Sequence, residues 1–178
     1  MADIDLKGTY FQLFGLEQGF SVDTAMLTSQ FRKLQQQLHP DRYVSGSDAE
    51  KRWSMQAASF VNQGHETLRN DLSRGVYLLE LNGINLDEET DTQMDPMFLM
   101  EQMELREALE MAEGAADTES ALAKLRKQIK AAIGEQKASF ELAFDKADLT
   151  GARTIARQWQ FLEKLLIEAK RIEERLDA

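Results

Sequence analysis

The sequence contains no cysteine. That absence excludes disulfides, thiolate-held iron–sulfur clusters, zinc ribbons and any thiol nucleophile. Histidine occurs only as His39 and His65, which also excludes a histidine-rich metal site. Proline occurs twice and glycine ten times. With many Gln, Glu, Ala, Leu and Lys, this balance points to an all-helical chain. There is no apolar run of 18 residues and no signal-peptide pattern. The expectation is therefore a soluble, cytoplasmic protein with no membrane partner.

A basic surplus is missing as well. The net charge is −10, and an acidic chain with no basic stripe is a poor nucleic-acid binder. The charge is uneven. Residues 1–76 carry 8 Lys/Arg and 9 Asp/Glu, a net of −1, and residues 77–178 carry 13 and 22, a net of −9. Such asymmetry suggests two functionally different halves. The 178 residues suffice for one medium domain or two small ones.

What is present is helical punctuation. "TYFQLFG" (9–15) predicts a short apolar helix ended by Gly15. Asp23 is a suitable N-cap for a second helix, in which Leu27, Phe31, Leu34 and Leu38 form one apolar stripe. Arg32, Lys33 and Gln36 point away from that stripe. Pro40 stops the helix, because its ring disfavours helical geometry at His39 and it has no N–H to donate. Ser47 and Glu50 form an S-x-x-E capping box for a third helix, with Trp53, Ala57, Phe60, Val61, Gly64 and Leu68 on one face. These two stripes predict an αα-hairpin joined by a loop at 39–47. "RGVYLLELNG" (74–83) reads as a further short helix.

Residues 82–94 read as an acidic, non-periodic connector. Asp95-Pro96 then gives an N-cap followed by Pro at the first helical position. Three long helices are expected, from 95 to 113, from 118 to 147 and from 150 to 176. The second carries Leu122, Leu125, Ile129, Ile133, Phe140 and Phe144. The third carries Ile155, Trp159, Leu162, Leu166, Ala169, Ile172 and Leu176. Short connections make neighbours antiparallel, so residues 95–178 should form a three-helix bundle.

His39-Pro40-Asp41 has a simple structural explanation: Pro ends a helix, His suits its negative end and Asp suits a turn. A catalytic role for a His39–Asp41 pair needs a nucleophile or a metal, and the chain offers no Cys, no histidine cluster and no nucleophile elbow. An enzyme is therefore not expected. In its setting, with "YFQLFGL" upstream and "VNQGHETLRNDLSR" downstream, the segment resembles the J domain of DnaJ-like co-chaperones over about residues 9–81. Leu38 stands where Tyr is common in that family, and Arg42 where Lys is common. The resemblance implies docking onto a DnaK-like ATPase chaperone and acceleration of its ATP hydrolysis. His39, Pro40 and Asp41 would carry that contact, with Arg32, Lys33 and Arg42 beside them. Asp41 can offer a carboxylate to a partner arginine, and Arg32 and Lys33 can steer the encounter.

The helix at 95–113, "DPMFLMEQMELREALEMAE", has too many apolar residues for one stripe. Phe98, Leu105, Ala108, Leu109 and Ala112 share one side, and Leu99, Met100, Met103 and Met111 the other, interleaved with Glu104 and Glu107. Full burial of both sides and an exposed apolar patch with an acidic rim are both compatible with this pattern. "FLMEQMELRE" (98–107), "FLEKL" (161–165) and "SRGVYLL" (73–79) resemble the HscB family, the J-type co-chaperones of iron–sulfur cluster assembly. That resemblance implies binding of an IscU-type scaffold protein through Leu99, Met100, Met103, Glu104, Glu107 and Phe161. It also implies delivery of the scaffold to an HscA-type chaperone. Gln160 departs from the family pattern, so no contact is carried over to it. Eukaryotic members carry a cysteine-rich metal module, and this cysteine-free chain looks like the bacterial form. No cofactor or metal is expected. The other readings are a J protein with a different client and a helical structural homo-oligomer.

Overall fold

A computed structural model describes residues 4–86 and 96–176. Most of the 82–94 connector, and the Asp95 N-cap, lie outside the described residues. Among those described, the fold is all-α. It comprises α1 (Tyr10–Phe14), α2 (Thr24–Gln37), a 3-10 turn (Pro40–Tyr43), α3 (Asp48–Arg69), α4 (Asp71–Leu81), α5 (Pro96–Glu113), α6 (Thr118–Asp145) and α7 (Leu149–Leu176). The chain divides into two compact units, Met1–Leu78 and Leu79–Ala178.

In the first unit, local hydrogen bonds set the helix ends. Thr9 and Gln12 form a capping box around the start of α1, and Gly15 closes it at φ +62. Asp23 accepts from Met26 N–H at the start of α2. Ser47 and Glu50 form the expected box at α3. Each satisfies N–H groups that the helix itself leaves unpaired. The fourth helix begins at Asp71, three residues earlier than the apolar pattern suggests, because the Asn70 side chain accepts from Ser73 N–H at 2.8 Å and caps it.

The α2 and α3 stripes pack together. Leu27, Ala57, Val61 and Leu68 are buried, while the Phe31 and His65 rings stack at 3.8 Å and 9°. Trp53 and Phe60 sit only half-buried at the margins. Across α3 lies α1. Tyr10 touches Phe60 and Tyr77 at ring separations of 5.1 and 4.7 Å. Gly64 permits this approach, since a Cβ there would lie 2.8 Å from the Tyr10 ring. Arg74 is buried and satisfied: it donates to Phe20 O and Leu68 O, each at 2.6 Å, and to Asp71. Its guanidinium lies over the Phe20 ring.

The second unit is a three-helix bundle. Glu173 pairs with Arg126, and Trp159 packs on Phe140, so α6 and α7 run antiparallel. Phe98 meets Phe161, and Glu113 meets Arg175, so α5 and α7 run parallel. The core joins Leu109 and Ala112 of α5 to Leu122, Leu125 and Ile129 of α6 and to Leu162, Leu165 and Ala169 of α7. Leu165 is the buried member of its Leu165–Leu166 pair, where the periodic reading selects Leu166. The sixth helix stops at Asp145, short of the expected 147. Ala147 adopts φ +57, and Asp148 N–H reaches back to Ala143 O at 2.9 Å. This is a Schellman-type closure with Ala where Gly is usual. Asp148 then caps α7 through Gly151 N–H.

Candidate functional sites

The His39–Asp41 segment follows the last turn of α2. Pro40 fixes the local backbone, and the chain winds into the 3-10 turn rather than an open loop. Arg42 N–H donates to His39 O at 3.0 Å. His39 Nδ1 lies 3.3 Å from Asp41 N and 3.5 Å from Asp41 Oδ2. One nitrogen cannot serve both. Without a hydrogen it accepts from the Asp41 N–H, and with one it donates toward the carboxylate. Either way the Asp41 carboxylate stays on the open side of the turn. The side chains of His39 and Asp41 are 61% and 86% exposed. Tyr43 anchors the turn through its hydroxyl, which donates to Gln37 O at 3.4 Å, and its ring lies beside Trp53.

Arg32, His39 and Pro40 line one hollow of about 490 Å³ together with Leu38, Gln36 and Asn62. Lys33 and Arg32 border an adjoining groove on the outer face of α2. Arg42 is exposed on the turn and does not line the hollow. Asn62 is a polar wall residue that the sequence reading missed, as it did Gln35 and Ala58. Its only signal is an outward position on α3, between buried Val61 and Gly64.

The second site lies on α5. Phe98, Leu109 and Ala112 are buried, whereas Leu99, Met100 and Met103 are 41%, 61% and 63% exposed. Glu104 and Glu107 are exposed beside them. One apolar side is core, and the other is a surface stripe with carboxylates in it. Phe161 of α7 is half-buried. Its ring meets Phe98 edge-on at 6.0 Å, and the Arg106 guanidinium stands 5.9 Å from its centre. Arg106 was not singled out from the sequence, because a cation on a helix facing an aromatic 55 residues away leaves no local pattern.

No group of three or more His, Asp or Glu side chains among the described residues is arranged to hold a metal ion. No described helix is long and apolar enough to cross a membrane.

Known proteins share both halves. Residues 94–170 match the family described as the HSCB C-terminal oligomerisation domain. The co-chaperone protein HscB homolog of Vibrio vulnificus (strain YJ016) is 40% identical over 94% of this chain and 98% of its own length. Among solved structures, the chaperone HscB from Vibrio cholerae superposes with a TM-score of 0.85 at 37% identity, covering 95% of this chain and 99% of that one. The human co-chaperone protein HscB gives a TM-score of 0.87 at 34% identity, covering 95% and 84%. The matches run through the J-domain unit and the bundle alike, and a relative this similar over nearly its whole length fixes the family: the chain belongs to the HscB co-chaperones.

Proposed function

We propose that this co-chaperone is a two-sided adaptor. Its α5 face, with Leu99, Met100, Met103, Glu104 and Glu107 and with Phe161 beside it, binds an IscU-type iron–sulfur scaffold protein. The His39–Asp41 turn, flanked by Arg32, Lys33 and Arg42, engages an HscA-type DnaK-like ATPase chaperone and stimulates its ATP hydrolysis. The protein thereby delivers the scaffold to the chaperone and aids maturation of iron–sulfur proteins. One observation carries this reading: a single chain exposes both a J-type tripeptide with a solvent-facing carboxylate and an apolar stripe on a separate unit.

Neither site supplies a group to the phosphate. The turn acts by preferring the hydrolysis-competent state of the chaperone, and Pro40 lowers the ordering cost of that contact. Holding both partners on one molecule raises their effective concentration, so scaffold and adaptor should stimulate the ATPase more together than separately.

The test is ATP hydrolysis by the chaperone with and without scaffold. Asp41→Asn should abolish stimulation in both conditions while scaffold binding and thermal midpoint stay unchanged. Leu99→Ala with Met103→Ala should keep the scaffold-independent stimulation and lose the synergy. Normal stimulation by Asp41→Asn overturns the mechanism. The description of the matched domain supports a second reading, self-association of the bundle. Sedimentation across concentration separates the two: a dimer that scaffold does not dissociate favours the oligomer.

A further inference from the structure

The chain has eight methionines and no cysteine, so methionine is its only sulfur chemistry. Five of the eight fall within residues 94–111. Four of them are described on α5, and none of the four is core. Met97, Met100, Met103 and Met111 are 68%, 61%, 63% and 76% exposed. At 100° per residue they occupy a sector of about 120°, with Glu104 and Glu107 inside it. By contrast, Met26 on α2 is 38% exposed. Met55 is exposed on α3 but is the only methionine of that helix.

Methionine is a common filler of irregular cores, where its sulfur is shielded. Here four thioethers are gathered on one open face, and no thiol elsewhere in the chain consumes an oxidant first. We propose that the methionine face of α5 is a reversible oxidation site, at which hydrogen peroxide makes sulfoxides that weaken scaffold docking. This rests on the reading that α5 holds the scaffold.

The chemistry balances without a further reactant. A thioether lone pair attacks one peroxide oxygen, the O–O bond breaks and an S–O bond forms. The departing hydroxide takes the proton of the transferred oxygen and leaves as water. Sulfur loses two electrons and peroxide gains them. A methionine sulfoxide reductase reverses the change with two thiols, which become a disulfide while the oxygen leaves as water.

The physical effect follows from the surroundings. A sulfoxide replaces an apolar contact by a strong acceptor. Glu104 and Glu107 inside the sector are acceptors too and offer the new oxygen no proton, and the guanidinium of Arg106, one turn from Met103, stands over the Phe161 ring. A sulfoxide covered by the partner's apolar surface would remain unpaired. Because these side chains are all more than 60% exposed, oxidation should leave the bundle folded.

The experiment treats the full chain with hydrogen peroxide, removes the excess with catalase and maps sulfoxides by peptide mass spectrometry over time. Met97, Met100, Met103 and Met111 should oxidise several-fold faster than Met26. Affinity for the IscU-type scaffold should fall by at least about tenfold, with the thermal midpoint within about 2 °C of the untreated protein. Methionine sulfoxide reductases of both stereospecificities with dithiothreitol should restore it. A Met97→Leu/Met100→Leu/Met103→Leu/Met111→Leu variant, compared with its own untreated affinity, should lose less than about twofold on peroxide treatment. Oxidation of the α5 methionines no faster than Met26, unchanged affinity of the oxidised protein, or a loss that reductase does not reverse overturns this inference alone. Failure of the untreated protein to bind scaffold overturns the proposed function and this inference with it. The sulfoxide map, which needs no scaffold, tells those cases apart.

Discussion

Asp41 in the first unit and Met103 in the second are both surface residues, but their surroundings are built on opposite rules. The turn around Asp41 is tied down by short-range bonds: Arg42 N–H to His39 O, Asp41 N–H to His39 Nδ1 and the Tyr43 hydroxyl to Gln37 O. It presents one oriented charge from a stretch of chain that is nearly neutral overall. The stripe around Met103 presents apolar area within a strongly acidic half. A contact of the first kind depends on a single group in the right place. A contact of the second kind depends on area and desolvation, spread over a few central residues. The first should tolerate almost no chemical change, and the second should degrade in steps.

After the loss of stimulation expected from Asp41→Asn, the largest effect of breaking this contrast is at the stripe. Leu99→Ala with Met103→Ala should weaken scaffold binding by about a hundredfold, while stability falls by under about 0.5 kcal/mol per exposed site. Phe161→Ala should behave differently. Its ring is half-buried against Phe98 and Arg106, so it should cost about 1–2 kcal/mol of stability as well as affinity. Denaturant melts and scaffold titrations on the same proteins check both. A large stability loss from Leu99 and Met103 with binding retained would place the stripe in the core.

Separating the units sharpens the comparison next. We expect a fragment of residues 95–178 to fold, because the bundle owns a core. The second compact unit, however, begins at Leu79. Within it Leu86 is buried, and Arg157 donates to Leu86 O at 3.0 and 3.3 Å. A fragment of residues 79–178 should therefore be more stable by about 2–3 kcal/mol, the scale of one buried leucine and one charged hydrogen bond. Equal urea midpoints would show that residues 79–94 add nothing to the bundle. Neither fragment should stimulate the ATPase.

Arg32→Ala with Lys33→Ala should slow association with the chaperone by about tenfold at low salt, and less as salt rises, because exposed charges are screened over about 10 Å at 0.1 M. The scaffold side, where apolar area carries most of the contact and Glu104 and Glu107 the rest, should show a weaker salt dependence. Stopped-flow association rates at two ionic strengths check this, and a salt-independent loss would point to damage to the fold.

The smallest effect is a pH dependence confined to the first unit. Burial beside Phe31 pushes the His65 imidazole below its ordinary value of 6.5, with Glu66 opposing and Arg69 assisting. A group held below its unfolded value contributes stability that is present above about pH 6.5 and is lost as pH falls through its folded value. Thermal midpoints from pH 7.5 to 5 should therefore fall more for the wild type than for His65→Gln. Parallel curves would show that His65 does not couple to folding.

The residues that stop and start helices act within three or four positions of one another, and these were legible without any structure. Gly15, Asp23, Ser47 with Glu50, and Pro40 each fix an end by satisfying or removing a nearby backbone group. The J-type tripeptide was legible for the same reason, because its residues are neighbours. Tertiary structure decided which apolar side of α5 is core, since a helix apolar on two sides carries no record of which side its partners cover. It chose Leu165 over Leu166, wound the loop after Pro40 into a 3-10 turn and set Arg106 over Phe161. These outcomes depend on groups far apart in sequence, and burial is a property of the neighbours as much as of the residue.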